Sequence, residues 1–590
     1  MKNFTLLVAL LTFMSLQISA QWTDNTKVNT VINDSIGEQI YPIISLNSQT
    51  GNHYISWQSN FGGYQFDLFL NMIDNEGYIL WENEGLLISN QTTEQSLTSY
   101  GLINDNDNCA VLVNPDMRGG FDNLFAYRIS PDKDFLWGDD GLQLSSNTDT
   151  NISIYSPVVA LDHEDNYLFE WTWDSLDAKR VIVLQKVDKN MTLIWGEPIV
   201  LQNDTMLYKA ERNSIIVKPD NGFYVVFGAN KIESAGQGYS NLFVQNFDKD
   251  GNHIWDQPIA LEKDHSFDPG FFFNINAHYQ KDGGVIIVWQ SASEFLVPSI
   301  KMQHIDSAGE LHCGQFGVVV EDTDNLLGML ESVYDLVNDV TYVFYQSRYL
   351  EVSTYYQCLK GQRISSDGDL LWGDTAFSAN TYSTNEYYPT ALTMHPDNSI
   401  LVTYIESFTQ YKHTDRAYTA DEIKAFRLAG DAQYIWSPDR IIVSDTLDRK
   451  KDFQITSYIE GQWILVWSEN RRNPLTQDNV DGIYAQNINE NGSIGPMHIL
   501  EHPSSKKNKL RIWPNPSSTT TSISYELDKA GKTNYYIYDI QGKKVKSTQI
   551  TDCKAGTNTI SFECNNMKPG IYSVFLTSGN QRYSSSFVIQ

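Results

Sequence analysis

Asp248-Lys249-Asp250-Gly251-Asn252-His253-Ile254-Trp255 is a polar turn followed, four residues after its glycine, by a tryptophan, and the chain repeats this arrangement. The same turn and tryptophan stand at Asp74-Asn75-Glu76-Gly77 with Trp81, Asp132-Lys133-Asp134 with Trp137, Asp188-Lys189-Asn190 with Trp195, and Ser366-Asp367-Gly368 with Trp372. A looser copy sets Ala429-Gly430-Asp431 before Trp436. Two further copies keep the spacing and lose the indole: Ser307-Ala308-Gly309 precedes Cys313, and Glu490-Asn491-Gly492 precedes Ile494. Positions 81, 137, 195, 255, 313, 372, 436 and 494 are 56, 58, 60, 58, 59, 64 and 58 residues apart, so the body is an array of about eight units.

About forty residues before each turn lies a short apolar or aromatic run, such as Tyr54–Trp57, Tyr167–Trp171, Tyr224–Phe227, Val285–Trp289, Tyr342–Tyr345 and Trp463–Trp467. These runs are rich in β-branched and aromatic residues and bounded by Asp, Asn and Gly, which reads as strand. No amphipathic helix interrupts them. The first unit divides into four strands, Tyr41–Leu46, His53–Trp57, Asp67–Ile73 and Tyr78–Ile88, the last two joined by a tight Asp/Asn/Gly hairpin turn. Four-stranded units at this period predict an all-β, eight-bladed β-propeller over residues 21–500, with Trp22, Trp81, Trp137, Trp195, Trp255, Trp372 and Trp436 packing between neighbouring sheets. Tandem sandwiches need units nearer one hundred residues and fit the spacing worse.

Trp22 lies 59 residues before Trp81, in register with the repeat. A ring must pair its ends or leave strand edges open, so Trp22–Ile32 is expected to act as a fourth strand and pair with the final unit near residues 450–490. Gly495–Leu500 is the competing closing segment. Strand alternation then puts the turns between strands one and two, and three and four, on one face. The connections between strands two and three share the other face with the crossovers, and the long ones, Gly228–Asn241, Gln346–Tyr356 and Glu406–Glu422, form a variable rim suited to binding. Aromatic residues fall there: Phe61, Tyr64, Phe66, Trp173, Tyr349, Tyr355, Tyr356, Phe408, Tyr411 and Tyr418. They suit sugar stacking or protein contacts, with inter-blade packing as the alternative.

Charge is unevenly divided. Residues 501–590 hold twelve Lys and Arg against six Asp and Glu, about +6, and residues 1–500 hold thirty against sixty-six, about −36. So acidic a body repels phosphate backbones, which argues against a nucleic-acid partner. The five cysteines, Cys109, Cys313, Cys358, Cys553 and Cys564, form neither a disulfide framework nor a zinc pattern. No catalytic constellation, metal-ligand spacing or cofactor loop is present, so no catalytic, metal or cofactor residue is assigned. The Asp248–Gly251 turn and Asn104–Asn108 lack the spaced ligands and terminal Glu of a calcium loop, and the aromatic residue stands four positions after the glycine where the Asp-box of sialidases sets it three. Facing carboxylates for glycoside hydrolysis cannot be recognised without geometry.

The chain begins with Met1-Lys2-Asn3, an apolar stretch from Phe4 to about Leu16 and the small pair Ser19-Ala20, the pattern of a signal peptide over residues 1–20. No other stretch is long and apolar enough for a transmembrane helix, so none is expected in the mature protein. A polar basic linker, 501–509, ends the repeat. There follow Trp513-Pro514-Asn515-Pro516, Asp539-Ile540-Gln541-Gly542-Lys543-Lys544-Val545, Gly556-Thr557-Asn558, and Pro569-Gly570-Ile571-Tyr572, read as a small antiparallel sandwich over 510–590. These motifs, in this order, resemble the type A C-terminal sorting domain of the type IX secretion system of Bacteroidetes-type bacteria, with Trp513 where Tyr is commoner. The resemblance implies an Ig-like sandwich, the type IX machinery as partner, and passage through the periplasm and across the outer membrane to the cell surface or the medium. The body likewise resembles propeller-like regions of proteins secreted by those bacteria, which implies a fold and no activity. A binding or adhesion function on the rim, toward a glycan or a protein, is the leading expectation; a polysaccharide-acting hydrolase and a structural surface-layer component are the alternatives.

Overall fold

The structure, a computed structural model, describes residues 22–496 and 510–589 apart from short stretches, chiefly 61–64, 93–98, 202–205, 210–213, 263–273, 293–297, 412–416 and 473–478. Residues 1–20 and 501–509, expected to be a signal peptide and a linker, lie outside the described residues, as do Phe61, Tyr64 and Gly542, and the side chains of Tyr411, Tyr418 and Asp539. The chain divides into two compact units, 1–496 and 497–590.

The first unit is an eight-bladed β-propeller. Seven antiparallel sheets follow in chain order, spanning 38–89, 101–143, 152–201, 206–260, 275–319, 326–378 and 386–444. The eighth is composite: Lys450–Ile455, Gln462–Arg472 and Asn479–Asn489 take their fourth strand from Thr30–Asn33, which pairs antiparallel with the last of them, Thr30 opposite Ala485 and Val31 opposite Tyr484. The amino terminus therefore closes the ring. Gly495, the start of the competing segment, abuts this one, since a Cβ there would sit 2.7 Å from the Asp24 nitrogen. Each blade's first strand touches the first strand of the next, and that of the eighth touches Glu38–Leu46 of the first, so the first strands form a closed inner ring.

The hydrophobic pattern explains this stacking. Second strands such as Ala110–Asp116 are buried at every position because sheets cover both faces, hence their unbroken apolar runs. The buried side chains separate into one apolar core between each adjacent pair of blades. Trp22, Ile32, Ile55, Trp57, Ile464 and Ile483 make the core between blades 8 and 1. The first strand is bulged in several blades, with positive φ at Tyr41, Ser156, Met329 and Asp452.

Two expectations need correction. The fourth strand of the first unit is not continuous over 78–88: Ile79 makes a single bridge to Ile73, and pairing resumes only at Leu86–Ser89. Between them the chain leaves the sheet to place Trp81 against the next blade and turns at Gly85, φ +76°. The long second-to-third connections are not loops but extended hairpins. Strands two and three run eleven or twelve residues in blades 4, 6, 7 and 8, against seven to nine in the other blades. Their aromatic and β-branched residues suit a pleated ladder better than an irregular loop.

The repeat tryptophans share one geometry. Each indole N–H donates to a backbone carbonyl in the three-to-four turn of the following blade: Trp22 to Asn75 at 2.6 Å, Trp81 to Pro131 at 3.1 Å, Trp137 to Lys189 at 3.1 Å, Trp195 to Lys249 at 3.4 Å, Trp255 to Ser307 at 3.1 Å, Trp372 to Gly430 at 3.0 Å and Trp436 to Glu490 at 2.8 Å. Cys313 takes the place of the indole and directs its Sγ to the Ser366 carbonyl at 3.6 Å. The position of Ile494 is served by Trp22, carried in on the closing segment. Gly77, at φ +84°, lies under the Trp22 ring, and a Cβ there would come within 2.6 Å of it.

The turns themselves are capped from within. The Asp248 Oδ1 accepts the amides of Asp250 and Asn252 at 2.9 and 2.8 Å, and Asp74, Asp188 and Asp306 do the same in their turns. Acidic residues on this face also join blades. Asp339 accepts hydrogen bonds from Tyr334, Ser366 and Gln280, and Lys281 of blade 5 stands 3.3 Å from it.

The second unit packs the sheet of Arg511–Trp513, Thr520–Leu527 and Gly556–Glu563 with that of Lys544–Cys553, Gly531–Asp539, Gly570–Ser578 and Gln581–Ile589 around Ile523, Tyr525, Ile537, Phe562, Val574 and Phe587. All five cysteines are buried free thiols.

Trp22→Ala should lower the stability of the propeller by about 3–5 kcal/mol, whereas Trp513→Ala, whose ring is 48% exposed, should leave that transition in place; denaturation of the full chain followed by near-ultraviolet circular dichroism reads both. Gly77→Ala should cost clearly more than Gly138→Ala, because the two glycines share φ near +84° and only Gly77 has a neighbour in the way.

Burial pushes the Asp339 carboxyl up, but the hydrogen bonds from Ser366, Tyr334 and Gln280 and the Lys281 ammonium outweigh it and hold its pKa at about 2. Its folded value lies below its unfolded one, so its contribution, about 2 kcal/mol, is complete above pH ~4 and disappears as the pH falls through about 2. The difference in unfolding free energy between the wild type and Asp339→Asn should follow that course.

Candidate functional site

Tight turns crowd one face of the propeller; the other carries the extended hairpins. Among the described residues, the hairpin Val340–Glu351/Thr354–Ser365 of blade 6 presents an exposed aromatic surface there. Its strands stay in register to the tip, with Tyr349 opposite Tyr356 and Leu350 opposite Tyr355. Val352, at φ +59°, makes the reversal and is wholly exposed. Cross-strand pairing puts the Tyr349 and Tyr356 rings in a stack, centroids 5.4 Å apart and 13° from parallel. Tyr382, on the crossover to blade 7, meets Tyr349 at 5.1 Å and 59°. The Arg348 guanidinium lies over the Tyr355 ring at 5.3 Å, and Tyr355 is 44% exposed.

Hydrogen bonds fix the base of this cluster. The Tyr382 hydroxyl receives Asn325 Nδ2 at 2.8 Å and is bonded to Ser347 Oγ at 2.7 Å. Ser383 bridges the backbone of Gln357 and donates from Oγ to the Tyr387 hydroxyl at 3.1 Å; Tyr387 in turn donates to Glu406 Oε1 at 2.9 Å. Asn385 and Lys424 complete the shell of Glu406, and Lys424 also pairs with Glu422 at 2.9 Å. Burial raises the Glu406 carboxyl, and the bonds from Lys424, Asn385 and Tyr387 more than offset it, so its pKa ends below the ordinary value. It is a fixed carboxylate that orients its neighbours and not a proton donor at neutral pH.

Asp448 is a carboxyl whose pKa is raised, by burial and by Glu469. Glu469 is drawn down, burial notwithstanding, by Lys450 and Arg471. Such divergence is what acid–base pairs need. Here, however, the Glu469 side chain is wholly enclosed and accepts from Trp467 Nε1 at 2.9 Å, from Arg471 at 3.0 Å and from Thr446, so it serves as a buried anchor between blades 7 and 8. No group of three or more His, Cys, Asp or Glu among the described residues is disposed to hold a metal ion.

Of the rim aromatics expected from sequence, the structure brings together Tyr349, Tyr355 and Tyr356. Phe66 is buried, and Trp173 packs against the core between blades 2 and 3. Tyr382, Arg348 and Glu406 were missed as site residues. Only the spacing of Tyr382 from the blade 7 strand could have pointed to it.

In the carboxy-terminal unit several of the described motif residues pin turns and strand ends. Asn515 Oδ1 accepts the Val588 amide at 2.8 Å, the Pro514 carbonyl accepts Thr521 Oγ1 at 2.9 Å, and Pro516 and Pro569 are exposed. The Asn558 side chain spans the turn by bonding Lys554 and Gly556, where φ is +92°. The Tyr572 hydroxyl donates to the Lys568 carbonyl at 2.8 Å beside Gly570, and Asp539 pairs with Tyr572 in the ladder. Residues 511–590 match the family model described as the secretion system C-terminal sorting domain. The carboxy-terminal unit is a sorting domain of that family. The chain is thus a type IX-exported protein, addressed to the cell surface or the medium. No helix among the described residues is long and apolar enough to cross a membrane.

No curated protein matches the chain. Among solved structures it is similar to a protein of unknown function from Dyadobacter fermentans (12% identity, 81% of this chain and 100% of that one, TM-score 0.32). It is also similar to the polysaccharide lyase Uly1 (8% identity, 81% and 94%, TM-score 0.34) and to an endo-arabinase from Bacteroides thetaiotaomicron (13% identity, 60% and 100%, TM-score 0.28). At these scores the likenesses add nothing to the ring of blades seen directly.

Proposed function

We propose that the exported body is a cell-surface or secreted binding protein of adhesion type, whose loop face at blades 6 and 7 takes up a glycan or a surface protein. The observation that supports this most is the tyrosine set at the end of a rigid hairpin. Tyr349 and Tyr356 stack, Tyr355 is open to solvent under Arg348, and Leu350 and Val352 extend the apolar tip. Aromatic faces of this kind, held by a paired ladder, lose little entropy on binding and suit the apolar face of a sugar ring or an apolar side chain. The half-buried Ser383–Tyr387–Glu406–Lys424 chain keeps Tyr382 and the crossover in place beneath them.

In this reading residues 1–20 are removed as a signal peptide, residues 21–500 are the working part joined to the sorting domain by the linker 501–509, and the type IX machinery carries the protein across the outer membrane. The purified full chain should then bind members of a glycan array or capture a surface protein. Tyr355→Ala and Tyr349→Ala should each weaken that binding about tenfold, ~1.4 kcal/mol, without shifting the unfolding transition of the ring. Absence of any ligand in both screens, or binding indifferent to both substitutions, would sink the reading. Turnover of a polysaccharide abolished by Asp448→Asn would replace it with the hydrolase.

A further inference from the structure

On the tight-turn face, the residue two places before each three-to-four turn points toward the boundary with the next blade, and in most blades it is polar and matched. Arg128 pairs with Asp105 and Asp107, both at 2.7 Å. Lys186 pairs with Asp162 at 2.8 Å, Asn246 Oδ1 receives Lys218 Nζ at 2.9 Å, and Arg427 pairs with Asp397 at 2.6 Å. In each case the partner comes from the one-to-two turn of the same blade. Arg363 occupies this position in blade 6 and breaks the pattern. Among the described residues no carboxylate lies within ion-pair distance of it; its guanidinium stands 5.8 Å over the Tyr342 ring, and its Nε is buried without a hydrogen-bond partner.

The reason lies in its own one-to-two turn. Asp335 is spent on the amides of Val337 and Asn338 and on the Asn338 side chain, and Asp339 is turned toward blade 5, where it meets Lys281. The facing turn of blade 7 is also short of an acid. Where Asp74, Asp188, Asp248 and Asp306 cap their turns, blade 7 has Ala429, which has no side-chain oxygen, so Asp431 turns back on the Gln433 amide at 3.3 Å. The acid that pairs with this position in other blades is thus spent within its own turn here, and the facing turn of blade 7 brings no capping Asp in its place.

That boundary contains an open cleft of about 530 Å³ lined by Arg363, Leu371, Trp372, Phe377, Asp431 and Ala432. The Trp372 indole N–H is taken by the Gly430 carbonyl, which fixes the ring as a wall. The lining offers two kinds of recognition group, a guanidinium lacking its carboxylate and an aromatic surface, with the Asp431 carboxylate, bonded to the Gln433 amide, also on it. A guanidinium binds carboxylate or sulfate through a two-pronged fork, and an indole beside it stacks on the apolar face of a sugar. The volume accommodates one or two rings. We infer that the cleft between blades 6 and 7 binds an anionic sugar, with Arg363 as its charge partner and Trp372 and Phe377 as the face it stacks on.

The site lies at the end of the blades away from the tyrosine hairpin, so its failure and that of the loop-face reading are separable. Calorimetric titration of the full chain with three disaccharides of equal size, one bearing a uronate, one a sulfate and one neutral, tests it. At least one anionic probe should bind, and the neutral one should bind at least tenfold more weakly; the stronger anionic probe identifies the group recognised. Arg363→Gln should weaken that probe tenfold or more, with partial recovery in Arg363→Lys, and Tyr355→Ala should leave it unchanged. Ala432→Glu adds a second carboxylate to a lining that already holds Asp431, so it should abolish binding even if Arg363→Gln proves unstable. Binding of neither anionic probe, equal binding of all three, or titrations unaffected by both Arg363→Gln and Ala432→Glu would overturn the inference.

Discussion

A single repeated hydrogen bond governs the propeller: the indole N–H of one blade given to a turn carbonyl of the next. Among the described residues, the strands of neighbouring blades share no backbone ladder, apart from the single rung between Glu38 and Asp481 that links blades 8 and 1. Their association rests on apolar burial, which is strong and has little direction. The indole supplies the direction. It buries a large surface, and its one polar atom is satisfied at only one place on the facing turn, so it fixes height and rotation together. Cys313 shows how far the rule bends, because a thiol reaches the same carbonyl with less area.

Closure follows from the same interaction. The eighth blade lacks an indole at Ile494, and the ring would fail at that boundary if Trp22 did not arrive with the closing strand. Its indole bonds Asn75, its amide bonds the Glu76 carbonyl at 3.1 Å, and its ring lies on Gly77. The first and last residues of a body of nearly five hundred residues are thereby tied into one core, with Asn29 bonded to both Val443 and Gln486. A rigid ring of this kind leaves its faces free to differ. One is knitted by short turns and ion pairs, and the other carries hairpins of unequal reach.

Those differences decide where chemistry can occur. The Lys450–Glu469 and Lys360–Glu321 pairs lie deep between sheets, with their charges consumed by neighbours, and serve as fixed polar joints. The two sites proposed among the described residues are departures from the repeat: a hairpin longer than most, ending in tyrosines, and a boundary where an arginine lacks its acid.

The sequence by itself determined the number of units and most of their strands, because a turn and an indole recurring every 58 residues or so are local features that survive without coordinates; it left two segments competing to close the ring, and only the pairing of Thr30–Asn33 with Asn479–Asn489 decided between them. The sorting domain was equally legible, its prolines, glycines and asparagine marking turns that only those residues make well. The rim was read less well. The stretches 346–356, 406–411 and 417–422 look like loops by composition, yet backbone pairing across the hairpins carries nearly all of them as strand, and pairing is a property of two segments together. Tyr382 and Glu406 entered the site through a crossover, and Arg363 became conspicuous only because the acids of its own turn face elsewhere. Which charge is matched and which is left open depends on neighbours brought close by the stacking of blades, and no spacing along the chain records it.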